Sequence, residues 1–393
     1  MSKMPYFPAA WPVRTGVAAI AAILLAACGG GDAGAPEGDG ATAAADTAAA
    51  PAAEEQPRAA VGPATDYPPN ELGEIMVLEY HRLGTPEGEW YRSVENFRAD
   101  LERLYQAGYR PVTMRQVIEG NIDVPAGTTP VVFTVDDSSL GQFYYREDGS
   151  IDPNSMMGIW TDFQRQNPGW EYGAVWCILP GADHPSNFFG EKPSREVPRA
   201  EREETIRKKM QFIVENRHEA CNHTLYHARL DRARDDAQVQ EWIGVGQDSI
   251  KAYLPEDYQI VTFALPLGMW PRNRELAWRG TYRDGRTYQH GVILEVTGGP
   301  NESPFDTRWN PRSVKRLIVA PRALERQLEA YDRNPGRRYI SDGNVNTIAV
   351  PRELADRVDR ARWPNKEVRV VEGQAAPPAG APDTAAAGTG PPG

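Results

Sequence analysis

The sequence is poor in basic charge, in cysteine and in long apolar runs. Its 43 Lys and Arg are outnumbered by 54 Asp and Glu, for a net charge of -11. No basic stripe with interleaved aromatics occurs, which argues against nucleic acid as a partner and leaves neutral sugar polymers open. The apolar run at residues 16–27 (GVAAIAAILLAA) is too short to span a bilayer comfortably. No internal repeat is present. Large apolar side chains are nearly missing from residues 29 to about 70 and from 373–393, where Ala, Gly, Pro, Asp, Glu and Thr dominate. Such segments bury too little to offset the cost of ordering the backbone, so both are expected to be disordered.

With only three cysteines, the place of each is informative. Lys3 and Arg14 precede or flank the start of the apolar run, which ends in small residues, the pattern of an export signal. Its end, Leu25-Ala26-Ala27-Cys28-Gly29, resembles a bacterial lipobox. That resemblance implies lipidation at Cys28 and a place in the bacterial cell envelope, periplasmic or surface-exposed, with a lipid anchor as the only membrane contact. Cys177 and Cys221 would then lie in an oxidising compartment. Each falls in a predicted strand, and the sequence leaves open a disulfide between neighbouring strands or two separate buried thiols.

The chain therefore divides into an export signal (1–28), a disordered linker (29–71), a folded domain (72–345), a C-terminal extension (346–372) and a disordered tail (373–393). The middle is long enough for one large domain with a well-buried core. It alternates strand-like and helix-like segments, which argues for an α/β fold with a largely parallel sheet. Strands are predicted at 74–80, 130–135, 174–179, 219–222, 260–265, 291–296 and 316–319, with a further one within 339–350. Helices are predicted at 93–106, 112–119, 159–166, 201–216, 236–253 and 321–331. About eight strands with interleaved helices suggest a distorted (β/α) barrel. A doubly wound open sheet is the alternative.

Two segments carry chemistry. Asp136 and Asp137 end the apolar run at 130–135. In parallel α/β folds the C-terminal ends of strands open onto the active-site face. Two adjacent carboxylates there repel one another and are costly to desolvate, and a bound cation removes that cost. The plainer reading is a surface turn, since Asp-Asp-Ser suits turns and helix caps. The second segment holds His218, His223 and His227. If residues 223–227 enter a helix, His223 and His227 fall one turn apart on one face and can share a metal. Histidine with carboxylate is an ordinary ligand set for zinc, cobalt or nickel. His218 lies on the other side of that turn and reads as structural.

Together these segments resemble the polysaccharide deacetylases (carbohydrate esterase family 4, the NodB-homology domain). "PVVFTVDDS" at 130–138 resembles that family's "TFDDG", and "RHEACNHTLYH" at 217–227 its "GHEIGNHTxxH". "GAVWCILPG" at 173–181 and "TFALPLG" at 262–268 stand where the family has a strand and a Pro-containing third motif. The resemblance covers roughly residues 74–320. It implies a distorted barrel of the NodB-homology type and a divalent metal, zinc first, with cobalt or nickel possible. It implies Asp136 as general base, and Asp137, His223 and His227 as metal ligands. An oxyanion would be held by a backbone N–H, for which Leu267 beside Pro266 is the candidate. The implied partner is an N-acetylated polysaccharide and the implied state a monomer.

The sequence departs from the pattern in three places. The first motif ends in Ser138 where the family has Gly. The third motif often carries an Arg that orients the catalytic Asp, but Ala264 and Leu265 occupy that stretch. The late Leu-x-His motif that supplies the acid is not evident. Glu79-Tyr80-His81 instead resembles the early "YH" segment of exported poly-N-acetylglucosamine deacetylases, which implies His81 as the acid. His184 and His290 read as structural or surface residues. Two other readings stand beside an N-deacetylase. One is a catalytically impaired polysaccharide-binding lipoprotein of the same fold. The other is an esterase removing O-acetyl groups from xylan or peptidoglycan.

Overall fold

The computed structural model describes residues 58–296 and 298–372. The export signal, Cys28 and the tail after 372 lie outside the described residues. So does most of the expected linker.

Eight strands form one parallel sheet. In chain order they are β1 (Met76–Tyr80), β2 (Tyr109–Pro111), β3 (Thr129–Val135), β4 (Val175–Ile178), β5 (Glu219–Asn222), β6 (Thr262–Ala264), β7 (Val292–Leu294) and β8 (Leu317–Ile318). Their spatial order is β7-β6-β5-β4-β3-β1-β8, with β2 beside the first half of β3. The strands follow one another around the sheet without the reversal that defines a doubly wound fold. The chain between β7 and β8 completes the circuit. Val314 exchanges backbone hydrogen bonds with the β7 segment, and Leu317 and Ile318 pair with Leu78 and Glu79 of β1. The result is a distorted (β/α) barrel.

Strand alternation divides the core. On β1 and β3, Met76, Leu78, Tyr80, Val131, Phe133 and Val135 face one cluster. It includes residues of the helices α1 (Val94–Gln106), α2 (Met156–Gln166) and α3 (Arg199–Glu215). Val77, Val132, Val175, Cys177, Cys221, Ala264, Val292 and Leu294 face a second cluster inside the barrel. β3 is buried along its whole length, as a parallel strand covered on both faces must be. Local chemistry fixes the helix starts. Ser93 and Ser155 accept backbone N–H groups at the starts of α1 and α2, and Asp235 does the same for α4 (Asp236–Lys251).

Two boundaries differ from the sequence reading. Residues 58–71 were expected to belong to the linker, yet they run along the domain. Arg58 pairs with Asp123 and Glu171 at 2.7 Å each, and Arg110 Nη2 donates to the carbonyls of Val61 and Pro63. Glu71 is buried and accepts the Ala349 N–H. Composition missed this because the contacts are made by backbone and charged groups, not by apolar side chains. Past residue 346, Thr347–Pro351 pairs in parallel with Glu367–Val371, and Ile348, Val350 and Val358 join the barrel-interior core. Cys177 and Cys221 sit in register on β4 and β5 with Cα atoms 4.2 Å apart, and they form a disulfide.

Candidate active site

The site grows out of strand alternation. The period of two that sends Val77 and Val132 into the barrel also points Glu79 and Asp136 to that side at the strands' C-terminal ends. Glu79 pairs in register with Thr134, so it stands one step below Asp136 on the neighbouring strand. By the same parity His223 follows Cys221 past the end of β5. Glu79, His81, Arg82, Trp90, Tyr91, Asp136, Asp137, His223, His227, Leu267 and Val296 line one cleft of about 270 Å³.

Asp137, His223 and His227 converge. Asp137 Oδ1 lies 3.8 Å from His223 Nε2 and 3.6 Å from His227 Nε2. Two ligands at ordinary zinc distances of about 2.0–2.2 Å stand a little over 3 Å apart, so these separations suit a shared ion after a small contraction. His223 Nδ1 lies 2.9 Å from the Ala264 carbonyl. A proton on Nδ1 makes that hydrogen bond and leaves the Nε2 lone pair free for a metal. These three residues therefore fit a divalent ion.

The expected helix at 223–227 is absent. The two imidazoles meet across a turn instead, with ring centroids 5.0 Å apart. Thr224 and His227 adopt left-handed backbone conformations, with φ of 66° and 58°. The turn is held from within. Asn222 Oδ1 accepts the Thr224 N–H, and Thr224 Oγ1 accepts the Ala228 N–H. Local side-chain acceptors of this kind compete with helix formation. The first motif is also left-handed, at Asp137 (φ 80°) and Ser138 (φ 44°). A glycine would adopt that conformation freely. Serine holds it with its hydroxyl, which accepts the Leu179 N–H at 3.0 Å.

Asp136 is buried and tightly partnered. Arg316 donates to both of its oxygens, at 2.8 and 2.9 Å, and to Thr134 Oγ1 at 3.1 Å. Burial alone would raise this carboxyl. The Arg316 charge, His223 and the Arg316 hydrogen bonds outweigh it and hold Asp136 well below the usual carboxylate range. The sequence reading missed Arg316. It noted that the third motif lacks an Arg, and the guanidinium at Asp136 comes instead from the residue before β8. An Arg after Lys315 at the mouth of a short apolar strand was the one local feature, and it names no partner.

His81 lines the same cleft, with Nε2 3.5 Å from Glu79 Oε1 and its ring edge-on to Trp90. Burial lowers its pKa, Asp136 resists, and Arg316, His227 and Arg82 lower it further, to about 4. Gln142, also unanticipated, donates through Nε2 to the carbonyls of His81 and Asp136 and ties the two strand ends together. Leu267 lines the cleft with φ 57°, and Pro266 beside it is buried. His218 is buried far from the cleft's donors, its Nδ1 accepting from Ala174 N and Trp176 Nε1. His290 is buried against Phe263, and His184 is exposed.

No protein-family model matches the chain, and no curated protein matches it. Among solved structures, it is similar to the Streptococcus pyogenes deacetylase PplD in complex with acetate, at 16% identity and a TM-score of 0.46, covering 65% of this chain and 97% of that one. It is also similar to a polysaccharide deacetylase from Bacillus cereus, at 14% identity and a TM-score of 0.44, covering 65% and 68%. IcaB from Ammonifex degensii gives 16% identity and a TM-score of 0.43, covering 66% and 97%.

Proposed function

We propose that the protein is a metal-dependent hydrolase that removes N-acetyl groups from an envelope or extracellular polysaccharide. One observation carries this reading. Three donors that suit a metal stand beside an ionised, Arg-held carboxylate at the floor of an open cleft. A catalytic metal site needs three protein ligands and an open position, and Asp137, His223 and His227 with the cleft above them supply that. A divalent ion held there, zinc by its ligand set with cobalt or nickel as alternatives, would polarise the acetyl carbonyl and acidify a water.

Asp136 takes the proton from the attacking water. Its ionised state, maintained by Arg316, keeps it ready to accept. His81 delivers a proton to the leaving nitrogen. The Leu267 N–H is the proposed backbone donor to the developing oxyanion. Trp90 and Tyr91, both partly exposed at the rim, offer flat faces to a sugar ring. Lipidation at Cys28, with the linker as tether, would place this cleft beside envelope polymer. The Cys177–Cys221 disulfide accords with an exported protein.

The binding-only alternative was motivated by the missing third-motif Arg, and Arg316 supplies a guanidinium to the same carboxylate. Acetate release from N-acetylglucosamine oligomers by the purified, zinc-loaded protein tests the proposal. Bound zinc with no acetate released would return the reading to a binding protein. Release only from O-acetylated xylan or peptidoglycan would make it an esterase.

A further inference from the structure

The turn that carries His223 and His227 is gripped by two neighbouring elements. Its middle residue, Leu225, spends both of its peptide groups outside the turn. The Leu225 N–H donates to the Trp242 carbonyl of α4 at 2.9 Å, and the Leu225 carbonyl accepts the Gly181 N–H at 2.8 Å. Gly181 belongs to the loop that follows β4. Asn222 adds a third tie, its Nδ2 donating to the Ile243 carbonyl of α4 at 3.1 Å. Carbonyls in the middle of a helix already serve the helix's own ladder. A second donor reaches one only where the helix surface is bare.

Glycine supplies the bare surface. Gly246 lies buried inside α4, where its backbone is helical and no left-handed conformation calls for glycine. Glycine is also a poor helix former, so its presence there needs another reason. Close approach is that reason. A methyl at Gly246 would stand 2.9 Å from Thr224 C and Leu225 N, and 3.2 Å from Asn222 Oδ1, the acceptor that shapes the turn. The first two atoms form the peptide bond in the middle of the span from His223 to His227. A methyl at Gly181 would stand 2.8 Å from the Leu225 carbonyl oxygen, at the other peptide group of the same residue. Relieving the contact at Gly246 to an ordinary separation of about 3.5 Å takes a backbone shift of roughly half an ångström. Metal–ligand distances tolerate only about 0.2 Å.

We propose that Gly181 and Gly246 are positioning residues for the metal: their missing side chains let the protein clamp Leu225, and the clamp sets how far apart His223 and His227 stand. The proposal deepens the metal-dependent reading above and rests on it. Neither glycine is a ligand, and both act through the peptide groups of Leu225. The hydrogen bonds within the turn shape it, and the clamp places it.

Zinc affinity and the visible spectrum of bound cobalt, measured on the full chain, test this without recourse to turnover. Gly246→Ala is expected to weaken zinc by about 10- to 100-fold, the usual result of disturbing groups that orient metal ligands, and to shift the cobalt bands. Gly181→Ala should act in the same sense by a smaller factor, because two of the three atoms its methyl meets belong to the Leu225 and Tyr226 side chains, which can move. Gly244→Ala is the comparison. It lies in the same helix, and its methyl would meet the Tyr282 ring instead of the turn. It is expected to lower the melting temperature and to leave zinc affinity and the cobalt spectrum as in wild type. An unchanged zinc affinity and spectrum in Gly246→Ala overturn the proposal. So does an equal loss of zinc in Gly244→Ala, which would mark a general loosening of the helix. If Gly246→Ala fails to fold by thermal melting, Gly181→Ala and amide exchange in the metal-free wild type decide. Weaker zinc in Gly181→Ala is then expected, and wild-type affinity overturns the clamp. The Leu225 N–H should exchange as slowly as the mid-helix amides of α4, and fast exchange there overturns it too. A wild-type chain that binds no zinc overturns the metal-dependent reading itself, and the proposal with it.

Discussion

The two halves of the cleft are built on opposite principles. On one side, Asp137, His223 and His227 converge with their donor atoms turned toward one another, and no guanidinium hydrogen-bonds the Asp137 carboxylate among the described residues. On the other, Asp136 and Glu79 are balanced internally by Arg316, and His81 is held neutral beside them. The first half suits a charge from outside the chain. The second carries its own counter-charge. An externally supplied ion is expected to leave without unfolding the protein, whereas loss of Arg316 would strip buried carboxylates of their counter-charge.

The largest effect should come from removing the ion. Dialysis against a chelator is expected to abolish acetate release, restored by zinc or cobalt, while the denaturation midpoint moves little. Full activity in metal-depleted protein would remove the metal half from the mechanism. Next, Asp136→Asn should lower kcat/KM by about 1000-fold with zinc still bound, a loss of roughly 4 kcal/mol of transition-state stabilisation. Loss of zinc in that variant would mean that Asp136 belongs with the ligands and that the division of the cleft is misplaced.

Arg316→Met tests the internally balanced half. It leaves Asp136 without its guanidinium and should destabilise the fold by about 3–5 kcal/mol, the usual consequence of breaking a buried ion pair from one side. Chemical denaturation measures this. A change under about 1 kcal/mol would show that water readily replaces Arg316.

The last effect appears only on acidification and concerns buried histidines outside the cleft. Burial lowers His218 to about 3 and His290 to about 4. The unfolded chain takes up these protons first, near pH 6.5. The stability tied to each neutral imidazole is therefore present above about pH 6.5 and lost as pH falls toward the folded value, by roughly 1.4 kcal/mol per pH unit and per group. Glu71 runs the other way. Burial raises it to about 8, so its contribution is present below its unfolded pKa and lost as pH rises through about 8. The difference between wild type and His290→Gln isolates one imidazole, and the variant should lose less stability on acidification. Parallel pH curves for the two proteins would show that His290 is not buried in the neutral form.

The externally charged half was the easier to read from sequence. Asp136-Asp137 and the 217–227 segment are short, and each keeps its neighbours close in the chain. The geometry that unites them was less legible. The His223–His227 spacing suggested a helix, but Asn222 and Thr224 side chains satisfy the backbone locally and fold a left-handed turn. The other half draws on positions 79, 81, 136, 142 and 316, and only His81 and Asp136 were anticipated. Nothing near Arg316 in the sequence announces a carboxylate 180 residues away.

The sequence by itself determined seven of the eight sheet strands, all but the short Tyr109–Pro111, with their alternation and the order of the chemical motifs, because apolar periodicity and short motifs are local properties. Strand parity then set which residues face inward, including Glu79 and Asp136. Only the tertiary structure decided which inward-facing charges meet. Closing the barrel brings β8 against β1, so Arg316 reaches both carboxylates, and the balance of charge in the cleft follows from that contact. Burial likewise acts only once the barrel is formed: it raises both carboxyls, and the Arg316 hydrogen bonds hold Asp136 low while Glu79 stays raised.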